Sequence, residues 1–274
     1  MPSGTRTPKG KAKRSATGPA RDSAKNALTY VYGIFPGDIK VNPDLVGVGD
    51  PPGKVRVVSC GDIAALVSDV PAGSSLGSPK DLATHKDLLD ASAAVVPALP
   101  MRFGAVLPGD QAVTDELLSA NHDIFTAALK ELDGQVQYVV RARYHEKALI
   151  REVLAENQDA ARMWEVIRQG GPGAGDEAKI RLGELVDMTV ARKREQETDT
   201  LLARLDGLYE ASVPRELRHE RDAVHLALLV KSSRSEDLSR AVERLAAAWE
   251  GRVELSLLGP MAAYDFVGMP ESGG

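Results

Sequence analysis

Few residues of this 274-residue chain are of a type that does chemistry, and they lie far apart. The sequence holds a single cysteine, Cys60, and five histidines. No histidine stands at metal-ligand spacing from another histidine or from Cys60. As a nucleophile, Cys60 would need a nearby base, and the sequence identifies none. These residues therefore predict neither a metal centre nor a cysteine enzyme.

Two glycine-rich segments lack the pattern of a phosphate-binding loop. Such a loop has glycine, four residues and then Gly-Lys-Ser/Thr, whereas residues 47–55, GVGDPPGKV, have the wrong gap and no hydroxyl after Lys54. Residues 171–175, GPGAG, follow a predicted helix rather than a strand, which favours a hinge over a dinucleotide site. No Gly-x-Ser-x-Gly sequence is present. The sequence thus predicts no cofactor, and a small-molecule enzyme is the least favoured function.

An arginine interrupts the apolar run at residues 99–107, LPMRFGAVL, which is predicted to be a strand. A guanidinium stays charged and is costly to bury without a partner. The favoured interpretation is that Arg102 pairs with an acid from a neighbouring helix. The alternatives are that Arg102 and Phe103 are exposed at a domain junction and contact a partner protein, or that Arg102 binds an anion.

One long helix is predicted from residue 176 to about 209, and it carries several acidic residues. We expect Glu184, Asp187, Glu195 and Glu197 to form a solvated face, paired with Lys193 and Arg194. The middle of this helix, residues 191–200, contains almost nothing apolar. It is therefore predicted to stand in solvent or to carry a partner.

Strand and helix patterns alternate along the chain, which favours an α+β fold. The predicted strands lie at 27–35, 55–59, 63–70, 99–107, 135–144, 223–230 and 252–258. The predicted helices lie at about 79–96, 113–132, 146–169, 176–209 and 235–249.

These elements predict two domains with small, mostly antiparallel sheets and helices packed on them. Residues 1–26 form a basic tail with seven lysines or arginines and one acid, and are predicted to be disordered. Residues 27–133 are expected to form an N-terminal α+β domain. Residues 134–274 are expected to form a ferredoxin-like α+β domain with a helical insertion at about 146–209.

The composition excludes several classes of protein. The net charge of −5 argues against a dedicated nucleic-acid binder. A single cysteine allows no internal disulfide, which fits a reducing cytoplasm. We find no apolar run long enough for a membrane span and no signal peptide. A cytoplasmic protein is therefore predicted.

Three segments together resemble the gas vesicle accessory proteins L and F (GvpL/GvpF). They are YVYGI at 30–34, LPMRFGAVL at 99–107 and LGPMAAYDFV at 258–267, and they occur in the family's order. The Arg102-Phe103-Gly104 sequence is the most specific of them. The last segment lacks a tryptophan and two prolines that many members carry, which favours the L-type branch.

The resemblance implies a non-enzymatic accessory protein for gas vesicle assembly, cytoplasmic and vesicle-associated. It would bind the small apolar shell protein during nucleation or growth, together with other accessory proteins. The alternatives are a minor structural component of the vesicle shell and a scaffold that links other accessory proteins. The predicted partner-binding residues are Arg102, Phe103, Gly104 and Tyr264, and no cofactor or metal is implied.

Overall fold

The computed structural model describes residues 27–71, 73–170 and 175–268. The predictions of a disordered basic tail at 1–26 and of a hinge at 171–174 fall outside these residues. The strands are β1 Ala27–Pro36, β2 Val55–Cys60, β3 Ile63–Pro71, β4 Leu99–Pro100, β5 Val106–Leu107, β6 Gln135–Tyr144, β7 Ala211–Pro214, β8 Asp222–Lys231 and β9 Val253–Met261. The helices are α1 Pro79–Ala93, α2 Asp110–Ala112, α3 His122–Glu131, α4 Glu146–Glu156, α5 Gln158–Gln169, α6 Asp176–Arg204 and α7 Ser235–Ala248.

The strands form two antiparallel sheets, and the predicted α+β class is confirmed. The N-terminal sheet has the order β2-β3-β1-β4, with β5 also paired to β1. The C-terminal sheet has the order β7-β8-β6-β9. Its elements follow the order strand, helices, strand, strand, helix, strand. The ferredoxin-like assignment and the domain limits stay predictions.

A bulge in β1 decides which side chains face each side of the N-terminal sheet. Tyr30 and Tyr32 point to one face and Val31 to the other, as period-two alternation requires. A register shift between Val31 and Gly33 then moves the pattern by one residue. Ile34 therefore joins the cluster of Val31, and Phe35 joins the cluster of the two tyrosines.

Helices cover both faces of this sheet. Leu88 and Leu89 of α1 pack in the tyrosine cluster. Phe125 and Leu129 of α3 pack in the cluster of Val31. That second cluster also takes in Leu229 of β8 and Ala263, Phe266 and Val267 beyond β9, so the two halves of the chain share apolar core.

The predicted strand at 99–107 is wrong in its middle. Only Leu99–Pro100 and Val106–Leu107 pair with β1, and residues 101–105 form a turn between them. The predicted helix at 113–132 begins with a π-helical segment, Val113–Ser119, and is broken before α3. The predicted helix at 146–169 is divided at Asn157, whose side chain caps α5. The short strand β7 was not predicted.

The prediction of a solvated face in the long helix is also wrong for two of its charges. Lys193 is only 5% exposed and Glu197 only 7%. The Lys193 ammonium lies 2.6 Å from Glu152 and 2.9 Å from Glu156 of α4, and Glu197 binds the Arg252 guanidinium. Ion pairs with α4 and with Arg252, rather than apolar contacts, bury Lys193 and Glu197 on this face. Among the described residues, none of the helices combines the length and apolar character that crossing a membrane requires.

Gly259 gives a test of how closely the last strand packs on β6. Its φ is +139°, and a Cβ there would lie 2.7 Å from Cδ1 of Tyr138 and 2.8 Å from the main-chain oxygen of Gln137. We expect Gly259→Ala to lower the free energy of unfolding by about 1–3 kcal/mol, because both the conformation and the contact become strained.

Gly183 in α6 provides the matched control. A Cβ there meets nothing within 4 Å, so Gly183→Ala should raise stability by roughly 0.5–1 kcal/mol. Urea unfolding measures both variants. Equal effects of the two substitutions would contradict the packing described here.

Candidate partner-binding cleft

An open cleft of about 730 Å³ lies between α1 and the 101–105 turn on one side and the C-terminal sheet on the other. Residues of α1, of the 101–105 turn, of β6, of the segment from β7 to β8, of β9 and of the chain beyond β9 line it. They are Leu82, His85, Lys86, Met101, Arg102, Phe103, Gln137, Val139, Arg141, Arg215, Arg218, His225, Leu258, Met261, Tyr264 and Asp265.

Main-chain hydrogen bonds hold the 101–105 turn against the edge of β1. The N–H of Met101 donates to the oxygen of Tyr32 at 2.9 Å, and the oxygen of Ala105 accepts from the N–H of Val31 at 2.9 Å. Gly104 adopts a φ of +91°, a conformation that residues with a side chain rarely take. The turn is therefore fixed at both ends, and a glycine permits its tight reversal.

The hydroxyl of Tyr30 is hydrogen-bonded to the turn. It accepts the N–H of Gly104 at 3.1 Å and lies 2.8 Å from Nδ1 of His85. The Phe103 ring meets the rings of Tyr30 and His85 edge-on, with centroids 6.0 and 5.5 Å apart. Tyr30 and Phe103, which come from two of the segments used in the sequence resemblance, thus form one aromatic cluster with His85.

Burial shapes the ionisation of this cluster. It raises the pKa of Tyr30 to about 12 and lowers the pKa of His85 below its usual 6.5. Both groups are therefore neutral at neutral pH. A neutral imidazole can accept a hydrogen bond from the Tyr30 hydroxyl at Nδ1, and His85 also bonds the main chain of Met101.

The favoured interpretation of Arg102, a pair with an acid from a neighbouring helix, is wrong. The side chain is exposed, and no carboxylate among the described residues lies within ion-pair distance of it. The physical reason is that the chain turns at 101–105 instead of continuing as a strand, which places the guanidinium at the cleft. Its exposure there fits the alternative interpretation, and its contact with a partner stays a prediction.

The segment beyond β9 links the two walls of the cleft. The N–H of Ala262 donates to Oδ1 of Asp90 in α1 at 3.0 Å. Asp265 and Gln137 of β6 exchange two hydrogen bonds, at 2.6 and 2.9 Å. Tyr264 between them is 37% exposed, and its partial burial together with the nearby Asp90 carboxylate raises its pKa.

Three of the four predicted partner-binding residues thus meet at one place. Arg102, Phe103 and Tyr264 line the cleft, while Gly104 shapes the turn that presents the first two. Whether any of them touches a partner stays a prediction.

Sequence reasoning missed the arginines of the opposite wall, Arg141, Arg215 and Arg218. Two signals point to them: Arg141 interrupts an apolar strand as Arg102 does, and residues 215–221, RELRHER, are rich in arginine. His225 lies on the same wall, and its Nδ1 is 2.7 Å from the main-chain oxygen of Glu216.

Asp222 anchors this wall from within the sheet. It is fully buried, and its carboxylate accepts hydrogen bonds from Arg141, from Arg143 and from the N–H groups of Arg218 and His219. Burial alone would raise the pKa of Asp222, but these donors outweigh it and lower the pKa to about 2. The carboxylate thereby fixes Arg141 and the main chain of Arg218 beside the cleft.

The buried imidazole predicts a pH dependence of stability. Since the folded protein keeps His85 neutral, the unfolded chain takes up a proton first as the pH falls below 6.5. Wild-type stability should therefore fall between about pH 7 and pH 5, by up to about 1.4 kcal/mol per pH unit more than that of His85→Gln. Urea unfolding of both proteins across this range measures the difference, and parallel pH profiles would contradict the assignment.

Comparison with known proteins places these features in a family. The family model described as gas vesicle synthesis protein GvpL/GvpF matches residues 28–268. Gas vesicle protein F of Streptomyces sp. strain CB03234 is 32% identical over 242 residues, covering 87% of this chain and 99% of the relative. Gas vesicle protein L of the same strain is 29% identical over 275 residues, covering 89% and 94%. These two values do not separate the L-type from the F-type branch.

The fold is shared with a solved structure of the family. The crystal structure of gas vesicle protein GvpF from Anabaena sp. PCC7120 has a TM-score of 0.75 at 20% identity, over 89% of this chain and 99% of that one. Because the family model spans nearly all the described residues and a full-length relative is 32% identical, the chain belongs to the GvpL/GvpF family of gas vesicle synthesis proteins.

Proposed function

We propose that this chain is a non-enzymatic accessory protein that binds the small apolar shell protein during nucleation or growth of the gas vesicle. Membership of the GvpL/GvpF family supports the accessory role in assembly. The observation that carries the binding proposal is the exposed Arg102 beside Phe103, held on a fixed turn at the mouth of an open cleft.

The physical need for such a protein follows from the shell itself. A small protein that builds an apolar wall exposes apolar surface before assembly, and that surface must be covered. The cleft offers Leu82 and Leu258, which are 49% and 53% exposed. Arginine and aromatic residues are common among those that dominate protein–protein binding energy. We therefore place the contact at the 101–105 turn and the adjoining cleft.

A binding role is favoured over a catalytic one because the titratable groups of the cleft serve structural bonds. His85 is held by Tyr30, His225 bonds a main-chain oxygen, and Asp265 bonds Gln137. A catalytic acid or base would need a proton-exchanging group free to reach a substrate. The same proposal includes a cytoplasmic location, contact with other accessory proteins, and a division into two domains, 27–133 and 134–274, that pack on each other.

The test is co-expression with the shell protein followed by capture on the tagged chain. We expect wild type to capture the shell protein and Arg102→Ala to capture it about tenfold less, because an exposed arginine without an ion pair contributes to contact and not to folding. The melting temperature of Arg102→Ala should equal that of wild type.

Arg181 of α6 supplies a matched control, since it is exposed and lies outside the cleft. Arg181→Ala should capture shell protein as well as wild type does. Lost capture in both variants, or full capture by Arg102→Ala, would place the contact elsewhere.

Washing purified vesicles with urea and then probing for the chain distinguishes an assembly factor from a resident component of the shell. Release by the wash favours an assembly factor, whereas retention favours a minor structural component. A scaffold that links other accessory proteins would show no capture of the shell protein while still capturing those proteins.

A further inference from the structure

We infer that the cleft takes an acidic, amphipathic segment of the partner protein, with its carboxylates on Arg102 and Arg218 and its apolar face on the side chains between them. This inference rests on the proposed function and gives the partner segment a chemical description. The observation that supports it is that basic and apolar side chains line the same cleft.

The cleft has an excess of positive charge. Five basic side chains line it, Lys86, Arg102, Arg141, Arg215 and Arg218, against one acid, Asp265. The acids Asp90 and Asp222 lie behind the lining and pair with Lys86 and Arg141. Asp265 lies 3.6 Å from Arg215. Three of the five basic groups are thus offset within the protein.

Arg102 and Arg218 remain without a carboxylate partner in the part of the chain that the structure describes. Both side chains are exposed, and they come from opposite halves of the molecule. The N–H of Arg218 is fixed to Asp222, and the turn of Arg102 is fixed to Tyr30 through Gly104. Two guanidinium groups without a carboxylate partner among the described residues therefore line one cleft, on main chain that is held by hydrogen bonds.

Apolar side chains complete the surface. Phe103 packs beside Arg102, and Leu82 and Leu258 lie about half exposed on α1 and β9. A ligand that satisfies only the charges would leave these groups in water. A segment with carboxylates on one side and apolar residues on the other satisfies both, since the guanidinium fork pairs with carboxylate in two parallel hydrogen bonds.

Phosphate chemistry fits the site less well. Phosphate sites commonly use clustered main-chain N–H groups at a helix N-terminus or in a glycine-rich loop. At the N-terminus of α1, whose N-cap is Ser78, the carboxylate of Asp81 already accepts the N–H groups of Ser78 and Gly49. The cleft presents guanidinium groups together with the exposed apolar side chains of Leu82 and Leu258, which favours a protein segment over a nucleic acid.

The experiment uses the full chain and three fluorescent probes. The first is a helical amphipathic peptide with leucine on one face and glutamate on the other, the second has glutamine at each glutamate, and the third is a single-stranded DNA of the same charge as the first. Fluorescence anisotropy measures binding at low salt and at about 0.5 M salt, where exposed charges are screened.

We expect the glutamate peptide to bind at least tenfold more tightly than the glutamine peptide at low salt, and the gap to close at high salt. The double variant Arg102→Gln, Arg218→Gln should lose the gap and keep the wild-type melting temperature. The control Arg181→Gln should keep the gap. Equal binding of the two peptides, a gap that persists in the double variant, or tighter binding of the DNA would overturn the inference.

Failure of this inference is distinguishable from failure of the proposed function. If wild type captures the shell protein while the two peptides bind equally, the function stands and the acidic segment is wrong. If the peptides behave as expected but the shell protein is not captured, the chemistry of the cleft stands and the named partner is wrong.

Discussion

The hydroxyl of Tyr30 accepts the N–H of Gly104 and reaches Nδ1 of His85, and through these bonds it joins the first strand, the first helix and the Arg102 turn. A buried hydroxyl without partners is costly, so this arrangement makes the position of the turn part of the stability of the core. Burial also keeps the imidazole neutral, which preserves its ability to accept a hydrogen bond from the tyrosine hydroxyl. The exposed guanidinium of Arg102 thus lies on a turn whose main chain is hydrogen-bonded to the core.

The second constraint is the segment beyond β9, which ties the two halves together around the cleft. Ala262 bonds Asp90 in the N-terminal half, and Asp265 bonds Gln137 in the C-terminal half. Phe266 and Val267 then enter the apolar core beneath the N-terminal sheet. Because the same few residues hold both walls, the spacing between Arg102 and the arginines of the far wall is set by the fold. A partner segment would therefore meet a preformed surface, which lowers the entropic cost of binding.

Much of the fold could be predicted from local pattern, and the cleft could not. The strand at β1 and the start of α1 follow from β-branched and aromatic residues and from the Ser78 cap, signals that lie within a few residues of each other. The apolar residues of 99–107 predict a strand, whereas the turn at 101–105 depends on Gly104 and on the distant Tyr30. Burial of Lys193 and Glu197 likewise depends on partners in α4 and on Arg252 just before β9. The wall of Arg141, Arg215 and Arg218 forms only when separate strands are paired, so no single segment reveals it.

The most direct test of the role of the turn is to remove the hydroxyl of Tyr30. Tyr30→Phe leaves the ring in place but frees the N–H of Gly104 and Nδ1 of His85, whereas Tyr32→Phe removes an equally buried hydroxyl that bonds Ser68 and Val48. Both variants should lose roughly 1–3 kcal/mol of stability. Capture of the co-expressed shell protein should fall only in Tyr30→Phe, because only that hydroxyl supports the turn. Equal capture by the two variants would contradict the claim that the turn held by Tyr30 forms the contact.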